Sequence, residues 1–234
     1  MKKSLVGKLK LYFNIESTSL LRYCVENIII GLFGWVPSVL GIVIRLFFYR
    51  LILNAKKFFI VQSGVILKQP QNITLHKGVY LDHRVYLHAC LNGIEIGENT
   101  RIMYNAQLHV YNFRDIPNAG IKIGKNCVVG PYTFISGQGG TTIGDNVIIA
   151  PHVVIVPVNH GYEKSDIPIR EQGITTRGVT IDDDVWIGAG VTILDDVHIG
   201  KGSVLGAGTV VTESVPQYTL VVGAKQKVIR SWGP

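Results

Sequence analysis

His160 is the side chain in this sequence whose type and position most favour catalysis. It stands in Asn159-His160-Gly161, directly before a twenty-residue segment, 161–180, that interrupts a regular pattern. Because an imidazole titrates near neutral pH, it can accept a proton from an attacking hydroxyl or amine. A histidine at a solvated turn is the alternative interpretation, so the assignment depends on the elements that hold this segment.

Other motifs give little support to nucleophilic, phosphate-binding or metal chemistry. The chain has no serine-centred nucleophile motif, no P-loop and no Gly-x-Gly-x-x-Gly after a predicted strand. His83 and His88 are five residues apart, as in some metal sites, but no third histidine is suitably placed, so we predict no metal. The cysteines are widely spaced and form no Cys-x-x-Cys pair, which is typical of a reducing compartment: Cys24, Cys90 and Cys127.

An aliphatic residue returns every six positions through most of the chain, a period that fits neither a helix nor an ordinary strand. Six residues suit one short strand and a turn, so that three units complete a triangular coil of about eighteen residues. The sequence therefore predicts an all-β fold, a parallel β-helix. The repeating positions are Ile96, Ile102, Leu108, Ile123, Val129, Ile135, Ile143, Ile149, Ile155, Ile181, Ile187, Ile193, Ile199, Leu205 and Val211.

The hexads group into five predicted coils, and two breaks in register separate some of them. The coils are 96–113, 123–140, 143–160, 181–198 and 199–216, with one or two irregular coils expected in 60–95. The breaks are Arg114–Lys122 and Gly161–Thr180. Insertions in a solenoid form loops, and long loops in compact domains are usually functional, so the second break draws attention to His160.

The N-terminal quarter of the chain differs from the rest in charge and hydropathy. Residues 1–68 contain ten basic and two acidic side chains, and the remainder is close to neutral. Residues 28–44 contain no charged side chain, but seventeen residues divided by Pro37 are a marginal membrane span. We expect two short helices hinged near Pro37 that associate with an anionic membrane surface, rather than a nucleic-acid-binding segment.

In this interpretation four basic side chains face the lipid headgroups: Arg45, Arg50, Lys56 and Lys57. A helical hairpin buried against the main domain is the alternative. The predicted organisation is a membrane-associating helical region at 1–60, a β-helix at 61–222 with its extended loop at 161–180, and a tail at 223–234.

Several motifs resemble the hexapeptide-repeat acyltransferases. They are Asn159-His160-Gly161, Gly178-Val-Thr-Ile-Asp-Asp-Asp-Val-Trp-Ile-Gly-Ala-Gly190, Ile193-Leu-Asp-Asp-Val-His-Ile-Gly200 and Val204-Leu-Gly-Ala-Gly-Thr-Val-Val-Thr212. The chain is similar to sugar O-acetyltransferases related to maltose, galactoside and nodulation-factor enzymes. Leu32-Phe-Gly-Trp-Val-Pro37 and Leu46-Phe-Phe-Tyr-Arg50 resemble the membrane-associated capsule and exopolysaccharide branch. The resemblance implies a left-handed β-helix, a homotrimer, and acetyl-CoA bound between adjacent subunits.

The resemblance also assigns roles to individual residues. His160 falls on the family's general base, and Trp186 on a tryptophan that borders the site. Cofactor contacts are implied for Trp186, Gly188, Ala189, Gly206, Ala207 and Thr212, with Lys227 and Arg230 near the nucleotide phosphates. The asparagine and aspartate that bind the acceptor in the maltose and galactoside enzymes align with Gly130 and Gln138 and are not retained here, and we expect the acceptor contacts to come from Tyr132, Gln138 and Asn159. The family's Gly-x-Pro-Ala-Lys turn is here Gly223-Ala-Lys-Gln-Lys227, which lacks the proline.

The predicted function is transfer of an acetyl group from acetyl-CoA to a sugar hydroxyl, on a lipid-linked oligosaccharide or surface polysaccharide precursor at the cytoplasmic face of the inner membrane. Two alternatives stay open. One is an N-acyltransferase of an amino sugar or nucleotide sugar. The other is a non-catalytic β-helical scaffold.

Overall fold

The computed structural model describes residues 17, 19–90, 92–111 and 116–223, and the backbone of 227–231. Two helices, α1 (Leu20–Phe33) and α2 (Ser38–Phe48), precede a stack of short strands. Single 3₁₀ turns lie at Tyr49–Leu51, Pro70–Asn72 and Ile169–Glu171. Lys227 and Arg230 have described backbone only, and the other predicted tail residues at 224–226 and 232–234 lie outside the described part of the chain.

Three sheets form the faces of a triangular stack, and nearly all of their strands pair in parallel. Face 1 contains β1 (Ile60–Val61), β4 (Tyr80–Leu81), β7 (Arg101–Ile102), β10 (Val128–Val129), β13 (Ile148–Ile149), β18 (Trp186–Ile187), β21 (Val204–Leu205), β23 (Thr219–Val222) and the antiparallel β24 (Lys227–Ser231). Face 2 contains β2 (Ile66–Lys68), β5 (Tyr86–Ala89), β8 (Gln107–Val110), β11 (Phe134–Ser136), β14 (Val154–Val156), β19 (Thr192–Leu194) and β22 (Val210–Val211).

Face 3 completes each turn of the coil. It contains β3 (Ile73–Leu75), β6 (Ile94–Ile96), β9 (Ile121–Ile123), β12 (Thr141–Ile143), β17 (Val179–Ile181) and β20 (Val197–Ile199). A separate antiparallel pair, β15 (Asn159–His160) and β16 (Ile174–Thr175), lies in the loop between faces 2 and 3. These parallel sheets are consistent with the predicted hexapeptide-repeat left-handed β-helix, and the helical part of the fold is small.

The predicted hexad positions stack on one another as the period requires. Ile102 pairs with Val129, which pairs with Ile149, and the series continues through Ile187 to Leu205 on face 1. Equivalent columns fill the inner sides of faces 2 and 3, for example Ile135 on Ile155 and Ile123 on Ile143. These side chains are nearly inaccessible to solvent, and burial of each one contributes about 1.5–3 kcal/mol.

Insertions enter the coil at one edge only. We name the corner between faces 1 and 2 the first, that between faces 2 and 3 the second, and that between faces 3 and 1 the third. Paired inward residues are six apart across the first and third corners, as in Ile149 to Ile155 and Ile143 to Ile149. Across the second corner the spacing varies, and both register breaks, including the loop after His160, lie there.

The two helices meet the stack through Arg45, which is fully buried. Its Nε donates to the Val61 carbonyl at 2.8 Å, and its Nη1 donates to the carbonyls of Phe33 at 3.0 Å and Val36 at 2.7 Å. Burial lowers the pKa of this guanidinium. Gly41 leaves room for the contact, because a Cβ there would lie 2.0 Å from the Val36 carbonyl oxygen. One side chain thus joins the end of α1, the turn between the helices and the first coil.

The expectation that Arg45 faces lipid headgroups is therefore wrong: three backbone carbonyls hold it in the interior. Arg50, Lys56 and Lys57 are exposed. Tyr49 is fully buried in the core, and this burial raises the pKa of its hydroxyl to about 12.

The hairpin is partly buried against the domain, so the second interpretation of this region holds for one side of it: Ile29 belongs to the core, and Ile30, Phe33 and Leu46 pack against it. Glu26, Ile29, Gly41 and Arg45 are the buried residues of the two helices. Large apolar side chains remain exposed and form a surface that we name the apolar platform: Leu20, Leu21, Ile28, Leu32, Trp35, Val39, Leu40, Phe47 and Leu51. Within the described residues, each helix is too short or too polar to cross a membrane.

The Arg45 contacts predict the effect of removing this side chain. We expect Arg45→Ala to lower the free energy of unfolding by about 3 kcal/mol or more, because three buried carbonyls lose a charged donor. Chemical denaturation followed by circular dichroism measures the change, and hydrogen exchange should show early opening of both helices. Arg50→Ala is the control, since Arg50 is exposed and makes only a 3.5 Å contact with the Lys57 carbonyl. Equal stability of the two variants would contradict the proposed role of Arg45.

Candidate active site

His160 lies at the second corner, at the beginning of the long loop. Asn159 and His160 pair in antiparallel fashion with Ile174 and Thr175, so the loop leaves and returns as a short ribbon. Both His160 and Asn159 are exposed. They line an open groove of about 700 Å³ together with Tyr162, Lys164, Gln172 and other loop residues.

Gln172 gives this loop a defined shape. Its Nε2 donates to the carbonyls of Lys164 at 2.7 Å and Ile167 at 3.0 Å, and its Oε1 accepts from the Lys164 amide at 2.9 Å. The partly buried Ile174 packs against the main core. The loop is therefore fixed by the Gln172 side chain within it and by apolar packing at its base.

The predicted cofactor residues of two successive coils come together at the first corner. Gly188 and Ala189 lie directly against Gly206 and Ala207: the Gly208 amide donates to the Ala189 carbonyl at 2.8 Å, and a Cβ on Gly188 would lie 2.6 Å from the Ala207 nitrogen. Both alanines are exposed. Gly188, Ala189, Gly206 and Ala207 form a strip of backbone with almost no side chains, which we name the bare edge. A thin, extended ligand can approach such backbone closely.

Two glycines, Gly190 and Gly208, directly follow the two alanines of this edge. Both have left-handed backbone, with φ of 68° and 71°. A Cβ at either position would meet no atom within 4 Å, so the glycines leave open space beside the edge. The edge therefore offers exposed backbone beside open space.

The remaining predicted cofactor residues are more widely distributed. Trp186 lies on face 1 between Ile148 and Val204 and is half exposed. Thr212 is exposed just after β22, on the side of the second corner. The backbones of Lys227 and Arg230 pair with Val222 and Leu220 at the end of face 1.

His160 and the bare edge lie at different corners of a single chain. Ala189 precedes the face-2 strand β19, whereas His160 follows the face-2 strand β14. The two therefore lie at opposite ends of face 2. Of the predicted acceptor residues, Gln138 and Asn159 lie at the second corner, and the half-exposed Tyr132 lies at the first.

His152, for which no contact was predicted, stacks on Tyr132 with ring centroids 5.2 Å apart and an interplanar angle of 4°. Three further residues without a predicted role line open grooves at the same corner in earlier coils: Arg84, Tyr104 and Asn105. In their own coils, Arg84, Asn105 and His152 occupy the same corner position as Gly190 and Gly208. A comparison of corner positions between coils could have found them.

The histidines considered for metal binding have other contacts. His83 Nδ1 lies 3.1 Å from the Ser63 hydroxyl, and His88 Nδ1 lies 2.8 Å from His109 Nε2. In the part of the chain that the structure describes, no three His, Cys, Asp or Glu side chains are arranged to bind a metal ion. Burial raises the pKa of the Cys127 thiol, which disfavours a thiolate nucleophile there.

Family models match two segments of the stack. Residues 178–213 match "Bacterial transferase hexapeptide (six repeats)", and residues 120–156 match "Hexapeptide repeat of succinyl-transferase". In the sequence, the two segments lie before and after the loop that begins at His160.

Named relatives are acetyltransferases. A probable acetyltransferase of Mycobacterium tuberculosis, Rv3034c, is 32% identical over 65% of this chain and 50% of its own length. Galactoside O-acetyltransferase of Escherichia coli is 36% identical over 48% of this chain and 54% of its own length. The chain spans about half the length of these curated relatives. The putative lipopolysaccharide biosynthesis O-acetyl transferase WbbJ of E. coli is 29% identical over 71% of this chain and 88% of its own length.

A solved structure confirms the fold. AntD, an N-acyltransferase of Bacillus cereus crystallised with dTDP and 3-hydroxybutyryl-CoA, aligns with a TM-score of 0.56 over 78% of this chain and 85% of its own. At 20% identity this likeness shows the coiled architecture alone. The repeats and the fold, together with the named relatives, make the chain similar to the hexapeptide-repeat acetyltransferases, with galactoside and lipopolysaccharide O-acetyltransferases among the proteins that it resembles.

Proposed function

We propose that the protein transfers an acetyl group from acetyl-CoA to a sugar hydroxyl of a lipid-linked oligosaccharide or surface polysaccharide precursor. The observation that carries the proposal is His160 in an open groove, on a loop fixed by Gln172, in a stack that also presents a bare backbone edge at Ala189 and Ala207. The galactoside and lipopolysaccharide O-acetyltransferases among the relatives support a sugar acceptor.

The proposed mechanism is direct transfer. His160 accepts the proton of the acceptor hydroxyl as its oxygen attacks the thioester carbonyl. Backbone N–H groups in the cleft stabilise the resulting tetrahedral oxyanion. When this intermediate collapses, the carbon–sulfur bond breaks, and the products are the sugar acetate ester and coenzyme A, whose thiolate receives the proton from His160. Ala189 and Ala207 would hold the pantetheine arm, with Lys227 and Arg230 towards the nucleotide phosphates.

We further propose that the active enzyme is a homotrimer in which neighbouring chains share each site. The separation of His160 from the bare edge supports this arrangement, because a face-2 strand lies between them within one chain. In a cyclic assembly the second corner of one subunit can meet the first corner of the next.

The apolar platform supports membrane association at the cytoplasmic face of the inner membrane. Two short helices and the turn between them expose many Leu, Val, Ile, Phe and Trp side chains, which is unusual for a surface in water. Arg50 and Lys56 are exposed close to it and suit anionic headgroups, each contributing about 1 kcal/mol near such a surface. This location favours a lipid-linked acceptor over the soluble nucleotide sugar of the N-acyltransferase alternative, and the His160 groove favours an enzyme over a scaffold.

His160→Ala should lower kcat by about 10²–10⁴-fold through loss of the general base, with acetyl-CoA affinity nearly unchanged. Coenzyme A release measures the rate, and calorimetry measures the affinity. His198→Ala is the control, because His198 pairs with Asp182 on face 3, away from the groove. If His160→Ala retains more than about a tenth of wild-type activity, the general base is another residue, and Tyr132 and His152 are the next candidates.

A shared site predicts complementation between inactive chains. His160→Ala and Ala207→Asp should each be inactive, the second because a charged side chain blocks the bare edge. Refolding the two together at equal amounts should restore about a quarter of wild-type activity, since one interface in four combines an intact edge with an intact His160. Light scattering should show a trimer. A fully active monomer, or mixtures with no recovered activity, would refute the shared site.

The platform predicts binding to anionic membranes by the full chain. Leu40→Asp with Phe47→Asp should weaken sedimentation with phosphatidylglycerol vesicles by at least about tenfold, because both side chains lie open on α2. Ile169→Asp with Tyr162→Asp is the matched control, as these exposed side chains belong to the loop. Equal binding of the two double variants, or no binding by the wild type, would contradict the membrane proposal.

A further inference from the structure

A second open groove follows the first corner through the N-terminal coils, away from His160. It consists of two adjoining depressions of about 640 and 620 Å³ that share Gly64, Arg84 and Asn105. Trp35 of the apolar platform lines one end, and Tyr132 lines the other. The groove therefore connects the platform with the coil of Tyr132, which is two coils before the first coil of the bare edge.

The backbone at this corner singles out the same residues. Successive coils place Gly64, Arg84, Asn105, Tyr132, His152, Gly190 and Gly208 at one equivalent position, and every one has φ between 57° and 76°. Glycine adopts this left-handed conformation without a steric penalty, whereas other residues are disfavoured by roughly 1–2 kcal/mol, with Asn and Asp the best tolerated. Arg84 and Tyr132 thus occupy positions for which glycine is better suited.

The third corner has the same backbone requirement and meets it differently. Its left-handed positions are mainly glycine, asparagine and aspartate: Gly78, Asn99, Asn126, Asn146, Asp184, Gly202 and, in the last coil, Tyr218. Asn99, Asn126 and Asn146 form a side-chain ladder with contacts of 3.4 and 3.3 Å. Strained residues with reactive or recognition side chains are a feature of functional sites. The first corner instead presents Arg84, Tyr132 and His152 at the equivalent positions.

The groove offers polar groups that are free to meet a ligand. Among the described residues, the side chains of Arg84, Asn105 and Gln107 make no hydrogen bond or ion pair. The carboxylate of Asp82 is already engaged, as its Oδ1 accepts from the Tyr80 hydroxyl at 3.1 Å and the His83 amide at 2.8 Å. Arg84 is therefore the available cation of the groove.

Two half-exposed aromatic rings lie beyond Arg84. Tyr104 and Tyr132 are 41% and 50% exposed, and their ring centroids are 5.2 Å apart. Aromatic rings of this kind pack against the C–H faces of sugars, while amides such as Asn105 and Gln107 bond to hydroxyls. Because each coil advances the stack by about 4.8 Å, Arg84 and Tyr132 are separated by about 10 Å, the length of roughly two sugar units.

We propose that this groove binds the lipid-linked saccharide by its anionic linkage, with the lipid chain towards Trp35, the phosphate or diphosphate at Arg84 and the adjoining sugars on Tyr104 and Tyr132. The order of groups along the groove, apolar, cationic and aromatic, matches the order of lipid, phosphate and sugar in such a molecule. The stacked Tyr132 and His152 then lead to the bare edge. This inference rests on the proposed function for its acceptor, but its binding test does not require catalysis.

The first test uses farnesyl diphosphate and farnesol, with binding measured by calorimetry on the full chain in mild detergent. Wild type should bind the diphosphate at least about tenfold more tightly than the alcohol, the effect of hydrogen bonds to a charged group. Arg84→Gln should abolish this preference. Lys122→Gln is the control, because Lys122 is an exposed cation on face 3, and this variant should still prefer the diphosphate to the alcohol. No preference in the wild type, or a preference that survives Arg84→Gln, overturns the assignment.

The second test adds a sugar and a competing lipid. Farnesyl-diphosphoryl-N-acetylglucosamine should bind at least about threefold more tightly than farnesyl diphosphate, and Tyr132→Ala should remove the gain. Tyr218→Ala, a tyrosine in the same left-handed conformation at the third corner, should retain it. Displacement by phosphatidylglycerol at equal concentration would show a general headgroup site instead and would overturn the saccharide assignment.

The two proposals fail separately. If acetyl-CoA is cleaved with dependence on His160 but Arg84→Gln changes no binding, the groove assignment is wrong and the proposed function stands. If the diphosphate and sugar preferences hold while no acetyl transfer occurs, the groove assignment stands and the catalytic proposal is wrong.

Discussion

Six-residue stacking of aliphatic side chains is the constraint on which the rest of this structure depends. Each inward residue must lie over its counterpart in the next coil, as Ile149 lies over Val129 and under Ile187. A slip of one residue would turn the aliphatic side chain outwards. The first and third corners keep the six-residue spacing throughout, and only the second corner varies in length. The loop with His160 is therefore placed where the coil can accept extra residues without losing its core.

The same constraint fixes the backbone at the corners and makes side-chain choice there informative. A turn repeated in identical form demands left-handed residues at equivalent positions in every coil. At the third corner asparagine and glycine satisfy this demand at little cost. At the first corner the coils are of two kinds. Gly190 and Gly208 leave a bare edge, whereas Arg84, Tyr132 and His152 carry side chains although their backbone is left-handed. The same left-handed turn therefore carries a surface of side chains in the N-terminal coils and a surface of bare backbone in the C-terminal coils.

Arg45 connects this rigid stack to the helices. By donating to Val61 in the first coil and to Phe33 and Val36 at the helix junction, it sets the direction in which the apolar platform faces. Buried charges are held in place only where several acceptors surround them, so the geometry of this junction is well defined. Trp35 of the platform consequently lines one end of the first-corner groove.

The sequence by itself determined the repeating architecture, because hydrophobic period is a local property that survives without knowledge of contacts: Ile96, Ile102 and Leu108 were expected to pair with Ile123, Val129 and Ile135, and they do. It also marked His160 and the Ala189 and Ala207 turns, through motif and resemblance. It could not show that Arg45 is buried, since a basic residue beside an apolar run looks the same whether it meets lipid or three carbonyls. Nor could it show that His160 and Ala189 lie at opposite ends of face 2, or that Arg84, Asn105 and Tyr132 line one edge. Those relations join residues that are far apart in the chain, and only the winding of the coil brings them into register.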